Sequence, residues 1–401
     1  MKQTRAFYAG RKNHSYSAAF PGTHLENPKR RTGALANILD YLDWRGDLTF
    51  AQSPFQAVDN LILSCLSYIH FGGIVEAEGE EGVPLPLADA LFSASGEEKE
   101  RVRSPLDGEL LRKAAKSRRF RDARLYRYVN RLNLQEEKQF AAVAFQLGDG
   151  SLYIAYRGTD NTLVGWKEDF NMSFLPSVPA QQEALAYLQE IGRRFPGSRL
   201  RAGGHSKGGN LAVYAASCAE PALQDRLLAV YNNDGPGFCC GLPGGAGHAR
   251  AARRIQTFVP QSSVVGMLME HDEAYTVIKS SGAGLLQHDP YSWEVMGPDF
   301  LRLEAVTEGS RLVDRTLKDW LSQLSPEERK QFADTLYQIL TATGAVRLKD
   351  LSAGWLKNSL AMLHAAGNLK KESKEQLARV FTLLLSSAGR TMLRSLPEGP
   401  F

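Results

Sequence analysis

Apolar and polar positions change their spacing twice along this chain. From Ala34 they recur at helical intervals. Asn37-Ile38-Leu39-Asp40-Tyr41-Leu42-Asp43-Trp44 predicts a helix that stops at Gly46, and Val58 to Ile69 predicts a buried helix ending before Gly72-Gly73. Residues from about 76 to 122 carry more charge around Gly79-Glu80-Glu81-Gly82 and read as helical cap rather than sheet. Near Phe140 the pattern turns strand-like. Phe140 to Leu147 and Ser151 to Arg157 flank Gly148-Asp149-Gly150, a hairpin signal. A helix over about 180–194 leads to a strand at Ser198 to Gly203. Leu227 to Asn232, Arg254 to Val259 and Ala274 to Lys279 add further short β-rich runs. After about Phe300 helical spacing returns, in Val306 to Leu324, in a helix opened by Ser325-Pro326-Glu327-Glu328, and in Leu377 to Leu385.

Strands alternating with helices predict an α/β fold with a mostly parallel central sheet flanked by helices on both faces. Three parts follow: a basic arm over 1–33, an α/β domain over 34–300 with a helical cap at about 76–135, and a helical extension over 301–401. The arm sets Lys2, Arg5, Arg11, Lys12, Lys29, Arg30 and Arg31 against Glu26 alone. It reads as a solvated tail, with contact to an anionic surface as the competing reading.

Composition changes this picture little. In 401 residues a net charge of +4 is too small to argue for nucleic acid, and 43% hydrophobic residues is ordinary for a globular chain. Cys65, Cys218, Cys239 and Cys240 form no CxxC pair and no metal-ligand spacing, so no metal and no organic cofactor is expected. No apolar h-region follows Met1, and nowhere do 18 apolar residues run together, so neither a signal peptide nor a membrane span is expected and the default location is cytoplasmic. The sequence does not determine the oligomeric state.

Gly204-His205-Ser206-Lys207-Gly208 carries the candidate chemistry. It has the G-x-S-x-G form of a nucleophile elbow, with a strand run before it and Asn210 to Ala216 at helical spacing after it. The bare pattern is common, and an ordinary Gly-rich turn is the alternative; the strand-turn-helix context makes Ser206 the candidate nucleophile. The helix behind it aims its dipole and free N–H groups at an oxygen that becomes negative during acyl transfer.

A serine nucleophile needs a base, and the base an orienting acid. Four histidines follow Ser206. His248 sits in the Gly-rich run over 241–247, read as a surface loop, and His364 belongs to the helical extension. His271 lies among Glu270, Asp272 and Glu273, which suggests a solvated turn. His288 stands in Leu285-Leu286-Gln287-His288-Asp289-Pro290-Tyr291-Ser292-Trp293, where the last sheet run passes into a loop, and is the favoured base. For the acid, Asp234 closes the run Ala229 to Asn233 before Gly235-Pro236-Gly237, at a strand C-terminus where catalytic groups gather. A turn-capping aspartate is the competing reading there, Asp272 the alternative acid, and Asp289 adjoins the base and should point elsewhere. For the oxyanion, the Lys207 N–H is one donor, and the junction Tyr156-Arg157-Gly158-Thr159-Asp160 is the candidate source of a second. Leu163 and Trp166, directly after it, are candidate substrate contacts on a lid or rim, or else core residues. The Lys207 side chain either reads an acidic substrate group or pairs with a carboxylate.

Tyr156-Arg157-Gly158-Thr159, Trp166-Lys167-Glu168-Asp169-Phe170 and Gly203 to Ala212 together resemble the class 3 lipase branch of the α/β-hydrolases. Tyr231 to Phe238, Gln287 to Trp293 and the helical N-terminal segment are similar to an uncharacterised bacterial lipase-like family within it. The resemblance implies Ser206 as nucleophile, His288 as base, and Thr159 with Lys207 as oxyanion donors. Two departures stand out. Val259-Pro260-Gln261-Ser262-Ser263-Val264-Val265-Gly266 has no carboxylate where those lipases keep their aspartate, and Lys207 replaces a usually apolar residue.

The expectation is a serine hydrolase acting on a small-molecule carboxylic ester, with an acyl or lipid-like substrate, through an acyl-enzyme on Ser206. A thioesterase or acyltransferase with the same triad, and a non-catalytic binding protein using residues 307–390, are the rivals.

Overall fold

The computed structural model describes residues 36–394 apart from 161, 242–244, 272, 347–349 and 351–354. The basic arm expected over 1–33 and the alternative acid Asp272 lie outside the described residues. Helix α1 (Ile38–Arg45) starts where Asn37 Oδ1 accepts the Leu39 N–H and Asp40 accepts the Asn37 N–H, and it stops at Gly46 as the pattern predicts. Helix α2 (Ala57–Leu66) is buried almost all round, with Val58 through Leu66 inside. Its Asp59 is fully buried and held by the Arg119 guanidinium at 2.5 and 2.6 Å. Helices α3 (Leu85–Ala94) and α4 (Pro105–Lys116) complete this layer.

The sheet contains, in spatial order among the described residues, β1 (Val83–Pro84), β2 (Arg124–Asn133), β3 (Lys138–Gln146), β4 (Leu152–Tyr156), β5 (Leu200–His205), β6 (Leu227–Asn233), β7 (Ile255–Pro260), β8 (Tyr275–Ile278) and β11 (Arg302–Leu303). β4 to β8 run parallel; the strands at both edges pair antiparallel. A separate two-stranded ribbon joins β9 (Val295–Met296) to β10 (Asp299–Phe300). The protein is thus a mixed α/β structure with a large sheet whose central part is parallel.

The sheet begins earlier than the sequence pattern indicates. β2 lies inside the segment expected to be helical cap over 76–135, and the sheet does not start near Phe140. Arg124, Arg127 and Arg131 interrupt its apolar alternation, and a bulge between Tyr126 and Val129 breaks the period outright. Arg127, at φ 56°, turns its guanidinium to Glu78 and Glu190 there. The helical extension also starts later than 301, because β11 still pairs with β8.

Alternate residues of the strands feed two cores. Val143, Phe145, Tyr153, Ala155 and Tyr231 pack with α1 to α4 on one face. Ala142, Ala144, Ile154, Tyr156 and Val230 pack on the other with α6 (Pro179–Arg194) and α7 (Lys207–Cys218). His248 is no surface-loop residue. It is 5% exposed, sits on the short helix α9 (Ala246–Ala251) after the short α8 (Pro221–Gln224), and its Nδ1 is 2.9 Å from Ser217 Oγ.

Helices α10 (Glu308–Ser322), α11 (Pro326–Thr341), α12 (Trp355–Gly367) and α13 (Lys371–Arg394) form the C-terminal part. Trp320, Leu324, Phe332 and Val380 make its own small core. It also backs helix α5 (Leu163–Asn171). Phe332 meets Phe170 with ring centroids 6.2 Å apart, Asp334 pairs with Lys167 at 2.6 Å, and Val346 O accepts the Leu163 N–H at 2.9 Å. Among the described residues no helix is long and apolar enough to cross a membrane.

Candidate active site

Ser206 joins β5 to α7 with φ 59° and ψ −137°, a backbone region that side-chain-bearing residues occupy only under constraint. The constraint is close packing. A Cβ on Gly204 would collide with the Gly208 backbone, and one on Gly208 with the Tyr156 carbonyl. The Ser206 N–H is fixed by Asn233 O at 2.9 Å. Beneath the turn, Asn233 Nδ2 donates to Gly204 O at 2.9 Å and to Asn60 Oδ1 at 3.0 Å, so a buried asparagine pair from β6 and α2 holds the turn in place. The turn therefore has the strained strand-to-helix geometry that a G-x-S-x-G sequence requires in a nucleophile elbow.

Asp234 stands at the C-terminal end of β6, fully buried and in the left-handed region at φ 54°, with its N–H donated to Phe258 O. Its Oδ2 is 2.7 Å from His288 Nδ1, and its Oδ1 accepts from Ser263 Oγ at 2.5 Å and from the Gly266 N–H at 3.2 Å. The segment over 259–266 carries no carboxylate but reaches Asp234. Its Ser263 and Gly266 act as donors to an aspartate on the neighbouring strand. An acceptor at Nδ1 fixes the His288 proton there and leaves Nε2 free to take another. Asp234 and His288 thus meet. Ser206 Oγ, by contrast, makes no hydrogen bond among the described residues. The other candidates are occupied: His271 Nδ1 faces Glu273 Oε1 at 3.3 Å, His364 contacts Asn368, and Asp289 accepts the Tyr291 N–H at 3.2 Å.

The sequence reading assigned no role to His205, the residue before the serine. It is fully buried, and its Nε2 lies 2.7 Å from the His288 carbonyl oxygen. A carbonyl accepts only, so Nε2 carries the proton and Nδ1 accepts from the Tyr68 hydroxyl at 3.0 Å. Burial, and then the neighbouring His288, hold its pKa well below the usual histidine value. It is a fixed neutral strut between α2's successor loop and the His288 backbone, with ring centroids 4.5 Å from His288. The elbow pattern marked this position; its contacts, 83 residues away in sequence, it did not.

Thr159 and Lys207 both offer backbone N–H groups that donate to no acceptor among the described residues. Thr159 Oγ1 donates to Asp169 at 2.6 and 2.7 Å. The Lys207 side chain is buried, 1% exposed, and turns away from solvent. Its Nζ donates to Glu168 Oε2, Gln139 O and Gln139 Oε1, each at 2.9 Å. Glu168, also fully buried, accepts the Gln139 and Ala180 N–H groups as well. Of the two roles considered for the lysine, pairing with a carboxylate is the one realised. Lys207→Leu should therefore lower stability by about 3–5 kcal/mol, because it strands a buried carboxylate. Denaturant unfolding reads this, and Lys207→Leu combined with Glu168→Leu should recover part of the loss.

Burial pushes the Asp169 carboxyl up to about 6, against the lowering effects of Lys207 and the Thr159 hydroxyl. A folded-state value above the unfolded one means the native state holds the extra proton between about pH 4 and 6. Its contribution is thus present in acid and lost as pH rises through 6. In Asp169→Asn, melting temperatures compared at pH 4.5 and 7 should show that part of the pH dependence removed.

Leu163 is 1% exposed and heads α5, packed in the interior. Trp166 is half-buried and meets the Phe170 ring with centroids 4.6 Å apart. The core reading, not the rim, describes Leu163. The exposed apolar side chains next to His288 are Leu285 and Leu286, at 68% and 71% exposure. Among the described residues no cluster of three His, Cys, Asp or Glu is placed to hold a metal.

A mixed α/β fold with a strained elbow serine and a buried aspartate at adjacent strand ends, the aspartate bonded to a partly exposed histidine, is the arrangement of a lipase-like protein. The chain belongs to the Mbeg1-like family, a lipase-like family whose model matches residues 114–338, more than half of it. Similar solved structures are lipases. The native Rhizomucor miehei lipase propeptide complex has 16% identity and a TM-score of 0.35, over 60% of this chain and 79% of that one. A Ser95/Ile96 deletion mutant of the same complex has 14% identity and a TM-score of 0.35, over 60% and 77%. A fungal lipase–inhibitor complex has 15% identity and a TM-score of 0.34, over 56% and 78%. No curated protein matches the chain.

Proposed function

We propose that this protein is an α/β-hydrolase that cleaves carboxylic esters through an acyl-enzyme on Ser206. The observation that carries the reading is the 2.7 Å contact of His288 Nδ1 with buried Asp234, beside an elbow serine at φ 59°. His288 Nε2 takes the Ser206 proton as Oγ attacks the ester carbonyl. The tetrahedral oxyanion is met by the Lys207 and Thr159 N–H groups. Collapse breaks the bond to the alcohol, which leaves with the proton from His288. Water, deprotonated by the same histidine, then attacks the acyl-enzyme and releases the acid and Ser206.

Leu285 and Leu286 favour an apolar acyl group over a charged one, since they present aliphatic surface beside the base. The free thiols of Cys65, Cys218, Cys239 and Cys240 support a reducing, cytoplasmic setting. A panel of p-nitrophenyl esters of graded chain length, with the matching thioesters, tests the assignment. Turnover that is absent in Ser206→Ala supports it, and the ester-to-thioester ratio separates esterase from thioesterase. Turnover unchanged in Ser206→Ala would overturn it.

A further inference from the structure

We propose that Cys239 and Cys240 form a reversible modification site, a vicinal dithiol that closes to a disulfide by exchange with a small disulfide such as oxidised glutathione. The two residues are adjacent in the chain and their Sγ atoms are in contact. Cys240 is exposed, whereas Cys239 is half-buried.

The backbone is built so that closure stays local. From Asp234 to Phe238 the chain is pinned: Asp234 N–H to Phe258 O, Gly237 N–H to Leu268 O, and Phe238 paired both ways with Glu270. Asn210 Nδ2 adds bonds to the carbonyls of Pro236 and Gly237. The pinning ends there. Among the described residues neither Cys239 nor Cys240 takes part in a backbone–backbone hydrogen bond, so their dihedrals can adjust without breaking a ladder. Adjacent Cα atoms are about 3.8 Å apart, closer than the roughly 4.4–6.8 Å of most disulfides, so the closed ring is strained and easily reduced again.

The order of events follows from the environment. Burial, and then the neighbouring Cys240, push the Cys239 thiol up to about 12, so exposed Cys240 attacks first. Its thiolate displaces one glutathione thiolate and forms a mixed disulfide. That step removes the Cys240 thiol from beside Cys239. Cys239, as its thiolate, then attacks Cys240 Sγ and expels the second glutathione. Two electrons pass from the cysteine pair to the glutathione disulfide, and the two thiol protons end on two glutathione molecules. In the reduced state Cys239 Sγ donates to Leu175 O at 3.3 Å, and Cys240 Sγ lies 3.9 Å from Phe174 O. Closure removes both S–H groups from the turn that follows α5, the helix that carries Glu168 and Asp169.

The full chain, reduced and then incubated with oxidised glutathione, tests this by mass spectrometry. Expected is a mass loss of two hydrogens, mapped to a peptide with an internal Cys239–Cys240 bond and reversed by a dithiol reductant. Cys239→Ser should stop at a gain of one glutathionyl group on Cys240. As a second reading, phenylarsine oxide should protect the pair from alkylation in the wild type and not in either single serine variant. A stable glutathione adduct on the wild-type pair, a bond from either residue to Cys65 or Cys218, or equal arsenical protection in the single variants would each overturn the proposal.

Discussion

Ser206→Ala should lower kcat on any accepted ester by about 10⁴- to 10⁶-fold and abolish labelling by a fluorophosphonate probe. The size follows from the proposed mechanism, in which Ser206 Oγ forms the covalent intermediate and its loss leaves only binding and the oxyanion donors. The fold should persist, because Ser206 Oγ makes no hydrogen bond among the described residues and the turn is fixed by backbone contacts. Alanine does not relieve the φ of 59°, so stability should change little. Glycine would, and Ser206→Gly should be equally inactive yet more stable by roughly 1 kcal/mol, the order of the strain such a residue stores. Labelling retained in Ser206→Ala, with the adduct on another serine, would remove the residue from the chemistry.

Asp234→Asn should cost kcat about 10⁴-fold with the structure intact. Asparagine is tolerated at a φ of 54° and keeps an oxygen for Ser263 and the Gly266 N–H. Its amide N–H₂ would then face His288 Nδ1, forcing the proton to Nε2. A histidine in that tautomer cannot accept the serine proton. Asp272→Asn should leave kcat where it is. If the two variants exchanged these outcomes, the acid would be Asp272. Ser263→Ala, which removes one donor from the Asp234 carboxylate, should fall between them at roughly ten-fold, the worth of one hydrogen bond to a charged group.

Local rules made much of this site legible. The elbow needed only glycines two residues either side of a serine, between a strand run and a helical run, because steric closure of a tight turn is a short-range matter. Asp234 and His288 were readable for a related reason. Asp234 ends a β-rich run, and in a parallel sheet the strand C-termini share one edge, while His288 follows the last such run on a short 3-10 turn over Gly284–His288, so both reach that edge. The central strands were legible as short, nearly continuous apolar runs, Phe140 to Leu147 and Leu152 to Tyr156, because both of their faces are covered.

Other features were decided only when the chain folded. Strand β2 hid its alternation behind arginines, of which Arg127, at the bulge, turns toward Glu78 and Glu190. For Lys207 the sequence leaves an acidic substrate group and a neighbouring carboxylate equally open; its burial depended on Glu168, on another helix, being buried beside it. His205 became a strut because Tyr68 and the His288 carbonyl, each distant in sequence, reached its two ring nitrogens. Ser263 served the acid from the loop after the neighbouring strand. The sequence by itself determined which residues could bend, nucleate a strand or carry a proton, since those depend on a residue and its near neighbours. Which charged groups ended buried, and which partners they found, the tertiary structure decided, because desolvation and hydrogen-bond geometry exist only between segments that the sequence keeps apart.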